Sequence, residues 1–295
     1  MLRGLSLSSK NYFSRHMDIE EIVRNYKKLK LADSGNLGFF AKPFRVKGDD
    51  GRDKIVKIYK GMEKKEIENI IPIHDLYVKR LREAGLSIPE TEIREVKVNG
   101  KNHLVILQDA LRTDEVVRNI MEGADLEGCK YLLGKILGDT IKFILYKPNF
   151  DPKENIGFHP TLRNYAFSND RPIYFDTFPP MLGMTQKELD RFILNFAPYP
   201  IPSVFKGFIA KKMGMVTDEY YQDDKMIIGL IGSSCRLRPE FSGELLKFSR
   251  EYIVRSPLDA GLKKDIDLIL TSPPRLNKIW VVVRRLLGKE GKPNI

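Results

Sequence analysis

From Phe39 to Val46 apolar and polar residues alternate, and the alternation resumes from Lys54 to Lys60 after the polar, glycine-bearing stretch "KGDDGRD". A period of two interrupted by a turn predicts a β-hairpin. The period then changes. In "EKKEIENIIPIHDLYVKRLREAG" the residues Ile73, Leu76, Tyr77, Leu81 and Ala84 share one helical face, Pro72 suits the start of a second helical segment, and Gly85 stops it. "IPETEIREVKVNGKNHLVILQDAL" returns to strands, with Asn99 and Gly100 as the turn and Leu104 to Leu107 as an apolar last strand. Up to Leu111 the chain thus reads ββαββ. Asp18 is placed to cap a leading helix over Ile19 to Leu29, and Lys28 to Ala32 is a candidate for one further strand.

Beyond Leu111 the helical period dominates. Leu126 to Tyr146 carries Cys129, Leu133, Ile136, Leu137, Ile141, Ile144 and Leu145 at core spacing, and Pro148 ends it. Further helices are expected over Gln186 to Phe196, Ser203 to Met213, Phe241 to Val254 and Leu276 to Leu287, whereas "GLIGSSCRLRPEFSG", Gly229 to Gly243, reads as a polar, glycine-bearing connection. The predicted class is α+β: a small β-rich lobe over residues 1–111 and a larger helical lobe over 112–295.

Composition narrows the class without choosing a function. With 42% hydrophobic and 30% charged residues over 295 positions, disordered and fibrous chains are excluded. Cys129 and Cys235 form no CxxC pair, which removes zinc ribbons and disulfide scaffolds and predicts a reducing, cytoplasmic setting. The longest apolar runs, such as "IWVVV" at Ile279 to Val283, fall far short of a membrane span. The first seventeen residues contain Arg, Lys and Ser but no acid, which fits an organelle transit segment as well as a frayed start. A formal charge of +11 favours an anionic partner: a nucleotide, a nucleic acid or an acidic membrane surface. The basic stretches Arg24 to Lys30 and Arg275 to Lys292, the latter around Trp280, keep RNA or membrane-surface binding open as a separate class.

Two places carry candidate chemistry. "DSGNLG", Asp33 to Gly38, permits the positive φ values and exposed N–H groups of an anion-cradling loop. In "GFHPTLRNYAFSNDRPIYFDTFPPM", Asn164 precedes the apolar Tyr165 to Phe167 and Asp176 closes Pro172 to Phe175, so a hairpin here brings two oxygen ligands to its mouth. Mg²⁺ takes hard oxygen ligands and is normally held by one or two carboxylates or amides, with substrate phosphates completing the shell. Two side chains alone make no full cage.

A glycine-bearing loop, a lysine inside the next strand, a helix, an apolar edge strand, then a helical lobe with an Asn and an Asp: over about residues 30 to 182 this order resembles the protein-kinase-like fold, in particular its aminoglycoside and small-molecule phosphotransferase branch. The resemblance implies ATP and Mg²⁺ as cofactors and a small hydroxylated molecule as substrate. It makes Gly35 and Gly38 part of a phosphate-covering loop and Lys57 the lysine that pairs the phosphates. "LREAGLSIPE" is similar to the end of the following helix in that branch, and Gln108 to Ala110 falls on the hinge that binds adenine. "LRN" places the catalytic-loop asparagine on Asn164 and the metal-binding aspartate on Asp176. Glu68 is the favoured helix acid to hold Lys57, with Asp75 as the alternative.

One departure divides the functional readings. Five residues before Asn164, where the family has the aspartate that accepts the substrate proton, stands His159, and Ile156 to Arg163 holds no acid. Either His159 is the base, or Asp151 or Glu154 folds in from the preceding loop, or the chain is a pseudokinase that binds nucleotide without phosphoryl transfer. Arg163 is placed to neutralise a phosphate or an acidic substrate, or to pair with an acid of the helical lobe. The Thr-Phe-Pro-Pro that follows Asp176 replaces the usual glycine, and its prolines stiffen the exit.

Overall fold

The structure is a computed structural model that describes residues 18–26, 41, 43–48, 50–59, 62–185, 188–189, 192 and 220–275. The glycine loop with Gly35 and Gly38, the strand candidate Lys28 to Ala32, the helices expected over 203–213 and 276–287 and most of 186–196 lie outside the described residues. The chain divides into two compact units, Met1–Asn69 with Glu90–Ala110, and Ile70–Pro89 with Leu111–Ile295. Residues 70–89 group with the helical unit rather than with the sheet.

In the first unit α1 (Ile19–Asn25) starts where Asp18 accepts the amides of Glu20 and Glu21 at 2.9 and 3.2 Å. Four strands follow: β1 (Pro43–Lys47), β2 (Asp53–Tyr59), β3 (Thr91–Val98) and β4 (Lys101–Asp109), joined antiparallel in the order β1-β2-β4-β3. The β3–β4 turn holds Asn99 at φ 51° and Gly100 at φ 74°, the paired positive values that an Asn-Gly hairpin turn supplies. Strand alternation puts Val46, Val56, Ile58, Val96, Val98, Val105 and Leu107 on one face, where they form a core with Ile22 and Val23 of α1. Lys57 is on the other face, opposite Pro43 and Ile106 in register.

α2 (Lys64–Glu83) runs unbroken through Pro72, which does not begin a new segment as expected. Pro72 removes the donor for the carbonyl four residues back, at Glu68, and both residues are exposed, so water can satisfy it. Ile70, Tyr77 and Leu81, at 4%, 0% and 0% exposure, hold the rest of the helix by burial.

The second unit continues with α3 (Val117–Gly123), α4 (Leu126–Tyr146), a hairpin of β5 (Tyr165–Ser168) and β6 (Arg171–Tyr174), then α5 (Asp223–Leu237), α6 (Ser242–Arg255) and α7 (Ala260–Ile269). α4 buries the expected Cys129, Leu133, Ile136, Leu137, Ile141 and Ile144, while Leu145 turns outward at 44% exposure. Gly134 and Gly138 of α4 leave room for aromatic rings of α6: an added Cβ would lie 3.2 Å from Phe248 and 3.1 Å from the Tyr252 hydroxyl. The predicted connection from Gly229 is instead the second half of α5, buried at Gly232, Ser233, Ser234 and Cys235. Small residues there admit close neighbours, since a Cβ on Gly232 would meet Pro274 at 2.9 Å. The chain is thus α+β, with a four-stranded antiparallel sheet in the first unit and helices with a two-stranded hairpin in the second.

Leu133 is fully buried in the middle of α4. Leu133→Ala is expected to lower stability by about 2–5 kcal/mol through lost transfer energy and a residual cavity, read as a lower urea midpoint of the helical unit.

Candidate functional site

The two short apolar stretches pair as the β5–β6 hairpin, with Asn164 and Asp176 flanking its mouth. Asn164 closes a single 3₁₀ turn, its amide N–H donating to the Thr161 carbonyl at 2.9 Å, and its carbonyl accepts from Phe175 N at 3.0 Å across the hairpin. Its side chain is 4% exposed, and Nδ2 donates to the His159 carbonyl at 3.1 Å. With the NH₂ end turned to the loop, among the described residues no donor reaches Oδ1, which remains available as a hard oxygen ligand. Asp176 follows β6 by two residues and is half-buried.

Asp176 stands within electrostatic reach of two phenols, Tyr77 and Tyr174. Tyr77 and Tyr174 are fully buried, and their hydroxyls are held well above the usual phenol range, first by burial and then by neighbouring phenols and the Asp176 carboxylate. A carboxylate within electrostatic reach of two neutral phenols favours a cation beside it. No cluster of three or more His, Cys, Asp or Glu stands together among the described residues. The donors present, an amide oxygen and one carboxylate, therefore suit a Mg²⁺ ion whose remaining ligands come from phosphates and water.

His159 lies in the loop that Asn164 closes. Its ring sits 4.3 Å from that of Tyr220, and Nε2 is sealed with no hydrogen-bond partner. Burial, followed by the nearby Arg163 charge, pushes its pKa down to about 3. The imidazole is therefore held in its neutral form at physiological pH. Residues after the hairpin close over it: Phe158 N donates to Tyr220 O at 2.7 Å, and Lys147 Nζ reaches Tyr221 O and Asp223 at 2.8 Å. The two loop acids considered as substitutes are engaged elsewhere. Asp151 caps the turn at Lys153 N, 2.9 Å away, and Glu154 takes both Nε and Nη2 of Arg80 at 2.9 and 2.5 Å.

In the first unit, Lys57 stands mid-strand on the face away from α1, as the alternation predicts. The favoured helix acid does not serve it: Glu68 is half-exposed and pairs with Lys64 one turn back, at 3.4 Å, because both project from the solvent side of α2. Asp75 lies 3.8 Å from the ring of His74 and is largely exposed. The hinge expectation also needs correction at its amides. Ala110 N donates to Asp53 O and Asp109 N to Glu90 O, both at 2.9 Å, while the Gln108 side chain donates to Thr91 at 3.0 Å. The sheet's own bonds occupy these donors, so an adenine cannot take them.

Three residues of α2 escaped the sequence reading of the site: His74, Tyr77 and Arg80 hold Thr177, Gly157 and Glu154 respectively. The signal was a histidine and an arginine, each three residues from Tyr77 on the helix. The basic stretch around Trp280 lies outside the described residues, and among those described no helix is long and apolar enough to cross a membrane.

The sequence matches a family described as a family of unknown function, DUF6206, over residues 18–291. Comparison with curated proteins returns no match. Similar solved structures include an amicoumacin kinase in complex with AMP-PNP, Ca²⁺ and Ami, at 10% identity and TM-score 0.32, covering 90% of this chain and 97% of that one. They also include the pseudokinase domain of BIR2, an immune regulator of the RLK/Pelle family, at 13% identity and TM-score 0.36, covering 93% and 95%. A MAP kinase of Leishmania major aligns at 10% identity and TM-score 0.32, covering 92% and 86%.

A pH dependence follows from His159. Its pKa falls from 6.5 to about 3 on folding, so between those values the unfolded chain binds the extra proton, and stability present above pH 6.5 is lost as pH falls towards 3. Urea midpoints from pH 7 to 4 are expected to fall more steeply for the native chain than for His159→Gln, by less than the limiting ~1.4 kcal/mol per pH unit because the residue is partly accessible. Equal slopes in the two proteins would show that the imidazole is solvated.

Proposed function

The chain belongs to this family of unknown function, and we propose that it is a kinase-like protein that binds ATP with Mg²⁺ and lacks an efficient base for phosphoryl transfer, a pseudokinase. The observation that carries this reading is the state of His159: sealed at Nε2, weakly basic, and under Tyr220 where a proton acceptor is needed. The binding half is supported by Asn164 and Asp176, whose oxygens flank one hairpin mouth.

In this reading Asn164 Oδ1 and the Asp176 carboxylate hold the cation, which neutralises phosphate oxygens when bound. Lys57 pairs the phosphates as a fixed positive charge, and Gly35 and Gly38 let the backbone approach them. Gln108 and Ala110 contribute to the adenine side through groups other than the amides already bonded within the sheet. The orientation of Asn164 is set before any ligand arrives, because its amide is already committed to the His159 carbonyl.

The alternative is an active phosphotransferase for a small hydroxylated molecule. It is favoured by the same Asn164 and Asp176, since a site that positions a metal nucleotide needs one more group to transfer from it.

Calorimetric titration of the full chain with ATP is expected to show binding strengthened by Mg²⁺, and Asp176→Ala is expected to remove the Mg²⁺-dependent part, a loss of at least the ~10-fold typical of weaker outer-shell changes. Across a panel of hydroxylated metabolites, turnover should be absent in the native chain. Sustained turnover abolished by Asp176→Asn would establish the phosphotransferase instead, and absence of Mg²⁺-dependent binding would overturn both.

A further inference from the structure

His74 is fully buried within α2, yet it is polar and lies on the side of the helix that presents Ile70, Tyr77 and Leu81. Burying an imidazole costs free energy unless a partner satisfies it, and a leucine of similar volume would serve packing alone. Its Nε2 lies 3.1 Å from Thr177 Oγ1, a contact across 103 residues of sequence. Thr177 is itself 2% exposed and directly follows Asp176. One helical turn further on, the Tyr77 hydroxyl donates to Gly157 O at 3.1 Å, and Gly157 leads into the loop whose His159 carbonyl holds Asn164. The helix therefore grips both stretches of backbone that carry the proposed cation ligands.

We infer that His74 is a positioning residue for Asp176, holding the adjoining Thr177 from α2 so that the carboxylate is fixed before a cation arrives. The inference rests on the nucleotide-binding reading above. The last pair of the β5–β6 ladder is Tyr165 with Tyr174, so Asp176 lies beyond the rungs that fix the hairpin. The buried His74–Thr177 bond supplies a hold on its far side. A ligand carboxylate next to an anchored backbone loses less conformational freedom on binding than one on a free chain end. Phe178, with its ring 6.5 Å from that of His74, packs beside the same bond.

The test compares His74→Ala, His74→Gln and Thr177→Val with the native full chain in two measurements. The first, amide hydrogen exchange without ligand, should show faster exchange at residues 175–178 in His74→Ala and Thr177→Val, unchanged exchange in α4 and α6, and recovery in His74→Gln, whose amide can replace Nε2. The second, ATP titration with and without Mg²⁺, should show the Mg²⁺-dependent affinity of both variants reduced about 10-fold, with Mg²⁺-free affinity unchanged. The double variant should be no worse than either single one, because both remove the same bond.

Native exchange rates at 175–178 in His74→Ala and Thr177→Val would overturn the inference. So would acceleration spread evenly over α4 and α6, or a His74→Gln protein that recovers neither property. If His74→Ala does not fold, Thr177→Val, which keeps the side-chain shape and removes only the hydroxyl, decides the matter. A native chain that binds no nucleotide defeats the functional reading alone, since the exchange measurement needs no ligand and still tests the hold on Asp176.

Discussion

The carbonyl of His159 accepts two hydrogen bonds, from Thr161 N at 3.0 Å and from Asn164 Nδ2 at 3.1 Å, and the arrangement of the site follows from that double use. Both lone pairs of one oxygen are committed, so the loop from 159 to 164 is tied across its base. The second bond also decides which end of the Asn164 amide points outward. Because the NH₂ group is drawn inward, the oxygen is the end left for a ligand. Immediately afterwards β5 begins, and Phe175 N returns to the Asn164 carbonyl at 3.0 Å, which brings Asp176 to the same end of the hairpin. One backbone oxygen thus couples the conformation of the loop to the direction of a side chain and the register of a strand pair.

Aromatic packing keeps this small network in place. Phe158 lies 4.9 Å from Phe143 of α4 and 4.8 Å from Tyr174, and Tyr174 lies 5.3 Å from Tyr165, measured between ring centres. All four are fully buried, so the loop rests on a rigid apolar floor. The same floor determines the electrostatics. Burial holds the Tyr165 and Tyr174 phenols neutral and pushes the His159 imidazole to its neutral form. Low local polarisability strengthens the pull of the Asp176 carboxylate on a cation and weakens the grip of His159 on a proton. A single physical cause, burial, therefore keeps both the phenols and the imidazole uncharged.

Much of the fold was legible because burial imprints a period on nearby residues. The alternation around Lys57, the Asn99–Gly100 turn and the apolar stripe of α4 each depend on neighbours within a few positions, and each appears in the structure. The second half of α5 was hidden for the opposite reason: Gly232, Ser233 and Ser234 look like a connection, although close approach of Pro274 is what requires a small residue at Gly232. Pro72 misled because an exposed proline can persist in a helix whose other side is buried. In the site, Asn164 and Asp176 were readable from the hairpin they flank. The partners of Glu154 and Thr177 were not, since Arg80 and His74 lie 74 and 103 residues away and no local pattern encodes such separations.

The separation between binding and chemistry reduces to the different tolerances of the two tasks. The proposed cation site needs oxygens at one end of a hairpin, and the bond from Phe175 N to the Asn164 carbonyl brings Asn164 and Asp176 to that end. Asn164 Nδ2 is oriented by the carbonyl of His159 at 3.1 Å and also lies 3.4 Å from its ring Nδ1. A proton acceptor, by contrast, needs an accessible atom of suitable basicity, and the imidazole of His159 lies 4.3 Å from the Tyr220 ring with its Nε2 buried and unpartnered. The loop also fills the space that a second acid would have to enter: Tyr220 O and the Tyr221 ring lie within 2.9 Å of where a Cβ on Gly157 would stand, and Glu154 is held away by Arg80. Tyr220, whose ring lies 4.3 Å from the imidazole, has its carbonyl bonded to Phe158 N at 2.7 Å, so its place beside His159 belongs to the same backbone network that holds the loop.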